Sequence, residues 1–194
     1  MVPGKSEYSR ETGETKVVVS LNLFGSGEVR IDTGLGSLDH MLHLFAFWAG
    51  FDLDMAATGD LHVDAHHTVE DCGLCLGRAL YEATGDKQGL ARIGWAKVPM
   101  DEALAEAVLD LSGRPYLVYR ETVLPAVIFG MEKDIWREFF KSLADQARMN
   151  LHIDLAYGEN GHHLIEAACK GLGLALGQAV QLRGDTLPST KGAL

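Results

Sequence analysis

Two segments of this sequence repeat each other. HHTVEDCGLCLGRAL (His66 to Leu80) and HHLIEAACKGLGLAL (His162 to Leu176) share an HHxxE opening and, at the same distance behind it, LGxAL. Further matches flank them: LHV at Leu61 answers LHI at Leu151, and the turn after SLNL answers the turn after VLDL. A lone HHxxE can recur by chance, but one that carries its downstream pattern with it points to an internal duplication. Duplication restricts the chain to one domain of two similar halves, about residues 10–88 and 90–184, joined near Gly89 and followed by a tail over 185–194.

The local patterns fit two such halves. Thr15 to Leu23 alternates as a strand, Gly25-Ser26-Gly27 turns the chain, and EVRID forms a second strand. Apolar residues at helical spacing predict a helix over Ser37 to Ala49, and FDLDMAA returns as a strand. A longer helix runs from His66 to Thr84. In the second half RIGWAKVPM is an extra strand, ALAEAVLDL a strand despite its Ala and Glu, and PYLVYRE another. Met131 to Met149 is helical, LHIDLAY a strand, and His162 to Leu182 the last helix. The order β-β-α-β-α thus occurs twice, an α+β fold with helices packed on sheets. The glycine run GLGLALG lies inside a helix with no strand before it, so it predicts close helix packing rather than a nucleotide loop.

Composition narrows the function. Seventeen Lys and Arg against 27 Asp and Glu leave a net charge of −10. A binder of nucleic acid or of anionic membranes would carry a basic excess, so neither partner is expected. The apolar stretch Met41 to Phe51 is too short to span a bilayer, and the polar N-terminus lacks the apolar centre of a signal peptide. Three cysteines, Cys72, Cys75 and Cys169, cannot all pair within one chain, which suits the cytoplasm. Cys72 and Cys75 form a CxxC with no second CxxC to complete a zinc site, so both read as core residues.

The histidines carry the chemistry. On a helix, adjacent residues diverge by about 100°, so the two imidazoles of one HHxxE cannot comfortably share an ion. The glutamate lies about 40° from the first histidine and about 60° from the second, and can join either. Each helix therefore divides its histidines between two metal sites. Imidazole and carboxylate without thiolate suit Mn, Fe, Co or Zn. His40 on the first helix can turn toward the same site, and His62 and His152 read as paired strand residues beside it, while His43 packs or faces solvent. Arg92, Arg114, Lys170 and the terminal PSTKGAL are candidates for cradling an anion such as phosphate.

TGLGSLDHMLHLF, GDLHVDAHHTVEDCGLCLGRAL, VPMDEAL, DLSGRPYLVY, NLHIDLAYGENGHHLIEAACKGLGLAL and PSTKGAL together resemble the imidazoleglycerol-phosphate dehydratase family, in order, from about Arg10 to Leu194. The resemblance implies a ribosomal protein S5 domain 2-like fold, with helices sandwiched between two mixed sheets. It implies two Mn2+ per active site, held by His40, His66, His67, Glu70, His162, His163 and Glu166. Many members supply a further ligand from a His-Phe-Phe run. Here that run is Glu138-Phe139-Phe140, and Glu138 takes the ligand's place. Trp48, where a histidine is often found, receives no role. Substrate-contacting positions match Glu14, Arg92, Arg114, Lys170, Ser189 and Lys191.

The implied reaction is the dehydration of D-erythro-imidazole glycerol phosphate to imidazole acetol phosphate, in L-histidine biosynthesis, with no redox cofactor. Its base is Glu166 or Glu14. The implied assembly is a trimer-based 24-mer whose ligands come from neighbouring chains. Two other functions share the ligand pattern, a dimetal hydrolase of phosphate esters and a non-catalytic metal-binding protein.

Overall fold

A computed structural model describes residues 2–192, so the last two residues of the tail lie outside the described residues. The first half contains β1 (Lys5–Glu11), β2 (Thr15–Asn22), β3 (Val29–Asp32), α1 (Gly36–Ala49), β4 (Asp52–Gly59) and α2 (His66–Thr84). The second contains β5 (Ile93–Met100), β6 (Ala103–Asp110), β7 (Tyr116–Glu121), the two short strands β8 (Val127–Ile128) and β9 (Met131–Glu132), α3 (Asp134–Ala147), β10 (Asn150–Tyr157) and α4 (Gly161–Ala179).

Period-two burial decides the strands. In β2, Val17, Val19 and Leu21 are buried while Lys16, Val18 and Ser20 face outward. In β6 the same alternation buries Ala103, Ala105, Ala107 and Leu109. The helical preference of its Ala and Glu yields to this one-sided burial. The two sheets have matching orders, β1-β2-β4-β3 and β5-β6-β10-β7. In each, one edge strand runs parallel to its neighbour, β3 beside β4 and β7 beside β10, and the other pairs are antiparallel.

Each helix lies on the sheet of its own half and against a helix of the other: α2 packs on α3, and α4 on α1. The helices therefore form a shared layer between two mixed sheets. Glycines make it thin. A Cβ at Gly77 would come within 2.5 Å of the Leu143 carbonyl, and one at Gly173 within 2.4 Å of the Phe45 carbonyl. These are the two glycines of the repeated LGxAL, so that motif encodes helix contact. Trp136, Phe51 and Phe140 fill the core. Cys72, Cys75 and Cys169 are buried and unpaired, and burial pushes the Cys75 and Cys169 thiols up to about 12, well out of the reactive range. No helix among the described residues is long and apolar enough to cross a membrane.

Several local expectations change. β1 precedes the first predicted strand, so the repeated unit is β-β-β-α-β-α and RIGWAKVPM is the counterpart of β1 rather than an addition. KSEYSRE has no fully buried face, and register with β2 from Lys5↔Asn22 to Glu11↔Lys16 makes it a strand. α3 starts at Asp134, because Val127–Ile128 and Met131–Glu132 form a hairpin around Phe129 and Gly130, both with positive φ. α4 ends at Ala179, and Leu182 bridges to Leu90 instead. His62 and His152 are not equivalent. β4 stops at Gly59 and Leu61–Val63 turns, with the Val63 N–H donating to the Asp60 carbonyl at 2.7 Å, whereas His152 lies exposed within β10.

The turn between β2 and β3 folds around Asp52. Its Oδ1 accepts N–H groups from Ser26 (2.7 Å), Gly27 (2.8 Å) and Glu28 (3.0 Å), and Oδ2 accepts from Asn22 Nδ2 at 2.9 Å. The Glu28 N–H leads these donors, which outweigh partial burial and lower the carboxyl from 3.8 to about 2. A carboxylate lowered by folding contributes stability above pH 3.8 that is lost as the pH falls toward 2. Urea unfolding at stepped pH through that window is expected to show a shallower acid loss for Asp52→Asn than for the parent chain, with the variant already weaker at neutral pH.

Candidate active site

The α1–α4 contact brings three candidate ligands to one point. His40 Nε2 on α1 and His162 Nε2 on α4 lie 3.2 and 3.1 Å from Glu166 Oε2. Their donor atoms all fall within 4.8 Å of one another, and among the described residues no other cluster of three such groups converges. Two imidazoles and a carboxylate without a thiol fit a divalent cation of the Mn, Fe, Co or Zn type. The α4 start is secured by Asn160, whose side chain accepts the His162 N–H at 2.9 Å. Phe129 sets an apolar edge, its ring 4.8 Å from that of His162.

Glu166 is only 7% exposed, and burial alone would raise its pKa. Lys170 Nζ at 2.7 Å from Oε1, together with His40 and His162 on Oε2, outweighs burial and holds the carboxyl below its ordinary value. Both oxygens are thus occupied. The carboxylate is held ionised, with both oxygens facing cationic or hydrogen-bonding groups.

The second histidine of each motif points elsewhere. The His66–His67 and His162–His163 ring pairs have the same geometry, 6.2 Å between centroids and 81° between planes. His163 Nδ1 meets Glu102 Oε2 at 2.8 Å, and His67 Nδ1 meets Asp60 Oδ2 at 3.0 Å. These hydrogen bonds outweigh desolvation and raise both histidines above their usual pKa. Asp60 and Glu102 escaped the sequence reading because they sit in turns outside the HHxxE register. Their signal was an acidic residue in each of the GDLH and MDEAL segments beside the motifs.

On α2, His66 Nε2 lies 3.7 Å from Glu70 Oε2 and makes no closer group. Glu138 on α3 is paired with Arg137 at 2.9 Å and Lys141 at 3.4 Å. His66, His67, Glu70, Glu138 and His163 are therefore not gathered at one point within the chain. Glu14 sits in the turn before β2 with its side chain 60% exposed, 3.9 Å from His67 Nδ1.

The anion candidates are also dispersed. Arg92 clasps Asp110 through two bonds of 2.6 and 2.8 Å, and its third donor reaches the Pro188 carbonyl at 2.7 Å. It thereby holds the tail that carries Ser189 and Lys191. The Lys191 N–H donates to Ser189 Oγ at 3.3 Å. Arg114 lies in the turn from β6 to β7, where Ser112 Oγ accepts its N–H and Asn150 donates to its carbonyl. The tail is further tied to the junction of the halves: the Gly89 N–H donates to the Thr186 carbonyl and the Arg183 N–H to the Gly89 carbonyl. Gly89 has φ +82°, and a Cβ there would lie 2.1 Å from the Gly184 carbonyl.

Comparison with known proteins agrees with this architecture. The family model for imidazoleglycerol-phosphate dehydratase matches residues 33–176. The chain is 64% identical over 188 residues to the imidazoleglycerol-phosphate dehydratase of Solidesulfovibrio magneticus, covering 96% of each chain. It is 49% identical over 192 residues to that of Methanopyrus kandleri, covering 97% of this chain and 96% of the relative. Among solved structures, the Pyrococcus furiosus enzyme in complex with (S)-C348 superimposes with a TM-score of 0.85 at 38% identity, over 96% of this chain and 100% of that one. The Staphylococcus aureus enzyme gives 0.82 at 37% identity, over 92% and 99%. By sequence, fold and a converging imidazole–carboxylate donor set, the chain belongs to the imidazoleglycerol-phosphate dehydratase family, the hydro-lyases of the dehydration step in histidine biosynthesis.

Proposed function

We propose that the chain converts D-erythro-imidazole glycerol phosphate to imidazole acetol phosphate with two Mn2+ per active site. The carrying observation is the meeting of His40, His162 and Glu166 beside Lys170. These three residues hold one ion. His66, His67, Glu70, Glu138 and His163 supply the remaining ligands, and their separation within one chain supports an active site completed by neighbouring copies, in a trimer-based 24-mer. When bound, the metal ions would supply Lewis acidity toward the imidazole ring, which helps the hydroxyl on the carbon attached to it to leave.

The residues of the chain do the rest. Glu14 takes the proton from the next carbon, the one that keeps its hydroxyl: its carboxylate is exposed and beyond hydrogen-bond distance of His67, whereas both oxygens of Glu166 are engaged. Loss of the hydroxyl from the ring-attached carbon as water leaves an enol, which tautomerises to the ketone. Arg114, Lys170, Ser189 and Lys191 bind the phosphate through charge-assisted hydrogen bonds. Arg92 acts on the same phosphate and holds the tail in place through Pro188. The halves, about residues 10–88 and 90–184, act as one domain because their helices pack across the boundary. The unpaired buried cysteines support a cytoplasmic location.

The test incubates purified chain with imidazole glycerol phosphate, with and without manganese, and follows imidazole acetol phosphate. Product only with metal is expected. Release of inorganic phosphate instead would mark a dimetal hydrolase, and metal uptake without substrate loss would mark a binding protein. Glu138→Ala and Glu138→His are expected to change metal content, and unchanged content in both would remove Glu138 from the ligand set.

A further inference from the structure

Glu14 and Glu102 hold the same place in the two halves. Each immediately precedes the second strand of its half, β2 at Thr15 and β6 at Ala103, and each faces the second histidine of an HHxxE pair. They do different things there. Glu102 Oε2 bonds His163 Nδ1 at 2.8 Å, while its Oε1 accepts the N–H groups of Glu159 at 3.1 Å and Asn160 at 2.8 Å. Glu14 remains 3.9 Å from His67 Nδ1, beyond hydrogen-bond distance. Asp60, at the end of β4, takes that contact at 3.0 Å.

An ionised carboxylate only accepts, so the ring nitrogen facing it carries hydrogen. In a neutral imidazole the lone pair then lies on Nε2. We propose that Asp60 and Glu102 are positioning residues that commit Nε2 of His67 and His163 to metal. By taking in the first half the contact that Glu102 makes in the second, Asp60 leaves Glu14 free to meet substrate. This inference rests on the metal-dependent reading of the site.

The two positioning carboxylates differ in one checkable way. Glu102 Oε1 is pinned by two backbone donors, whereas Asp60 Oδ1 is buried with no hydrogen-bond partner. In Glu102→Gln the amide oxygen must stay on those backbone donors, so the NH2 faces His163 Nδ1 and two donors oppose each other. In Asp60→Asn nothing holds the amide, and its oxygen can turn to His67.

The full chain, assembled and stripped of metal, would be titrated with Mn2+ while free ion is read by its paramagnetic resonance signal. Asp60→Ala and Glu102→Ala are expected to weaken binding about 10–100-fold, the usual effect of removing a carboxylate behind a histidine ligand. Asp60→Asn should recover most of its loss and Glu102→Gln none, while Glu14→Ala leaves affinity unchanged and lowers kcat. Thermal unfolding of the stripped proteins separates this from folding defects, since Gln and Asn keep the size of the residues they replace.

Parent-like affinity in Glu102→Gln would overturn the proposal, as would equal losses in Glu14→Ala and Asp60→Ala. A uniform loss that tracks lowered thermal stability would assign these residues to folding instead. A parent chain that fails to bind Mn2+ would take down the metal reading itself, and this inference with it.

Discussion

Glu166→Gln is expected to lower kcat/KM for imidazole glycerol phosphate on the order of 10²–10⁴-fold, the range for losing a positioned group at a reacting centre. The change is isosteric, so packing on α4 is kept. What changes is the acceptor count. The carboxylate serves Lys170 on one oxygen and His40 with His162 on the other. An amide offers a single acceptor oxygen: its NH2 either opposes the Lys170 ammonium or replaces the anionic oxygen that faces the ion. Loss of one Mn2+ per chain should accompany the loss of turnover, measured as metal content after dialysis. Full metal content with lost turnover would instead make Glu166 the base and return Glu14 to a binding role.

Gly173→Ala is expected to destabilise the chain by roughly 1–3 kcal/mol, the cost of overpacking a tight contact. The added Cβ would lie 2.4 Å from the Phe45 carbonyl, and backbone cannot give way as a side-chain tip can. α1 must back away from α4, and α1 carries His40. The same substitution should therefore weaken Mn2+ binding, coupling a packing defect to the site. Gly171→Ala, two residues earlier on the same helix, provides the contrast. Its Cβ would meet Ala107 Cβ at 3.5 Å, an ordinary contact. Replacing glycine in a helix interior then favours the fold by up to about 1 kcal/mol. Urea unfolding of the two variants should move in opposite directions. A Gly173→Ala protein as stable as its parent would show that α1 and α4 are free to separate.

The parts of the fold that were legible in sequence are those where one face is buried. α2 was read with its observed ends, His66 and Thr84. β6 was read as a strand against its helical composition from Leu104, Val108 and Asp110 before the Ser112-Gly113 turn and the strand that follows, while the alternating burial that makes it one is seen only in the fold. β1 was missed because KSEYSRE has no residue that is fully buried, and its strand character comes from hydrogen bonding to β2. The LHV–LHI match misled because three residues carry too little pattern to distinguish a turn from a strand. At the site, the HHxxE register shows which side chains share a helix face, but not which helices meet. His40 joins His162 only because glycines let α1 and α4 touch. Asp60 and Glu102 lie in turns, where no periodicity marks them, and only three-dimensional closeness to Nδ1 gives them a role.

The crossed helix pairing, α1 with α4 and α2 with α3, makes the chain a covalent homodimer in physical terms. Separated at Gly89, each half would expose the helical face that its twin now covers, so each would need a partner in order to fold. In a dimer of identical chains every substitution appears twice, once on each side of the axis. Fusion lifts that constraint. One copy of a duplicated glutamate stays bound to its histidine while the other, with Asp60 in its place at the histidine, stands apart, as the proposed chemistry requires. The symmetry that builds the helix layer is thereby kept, while the symmetry of the polar groups around it is free to break.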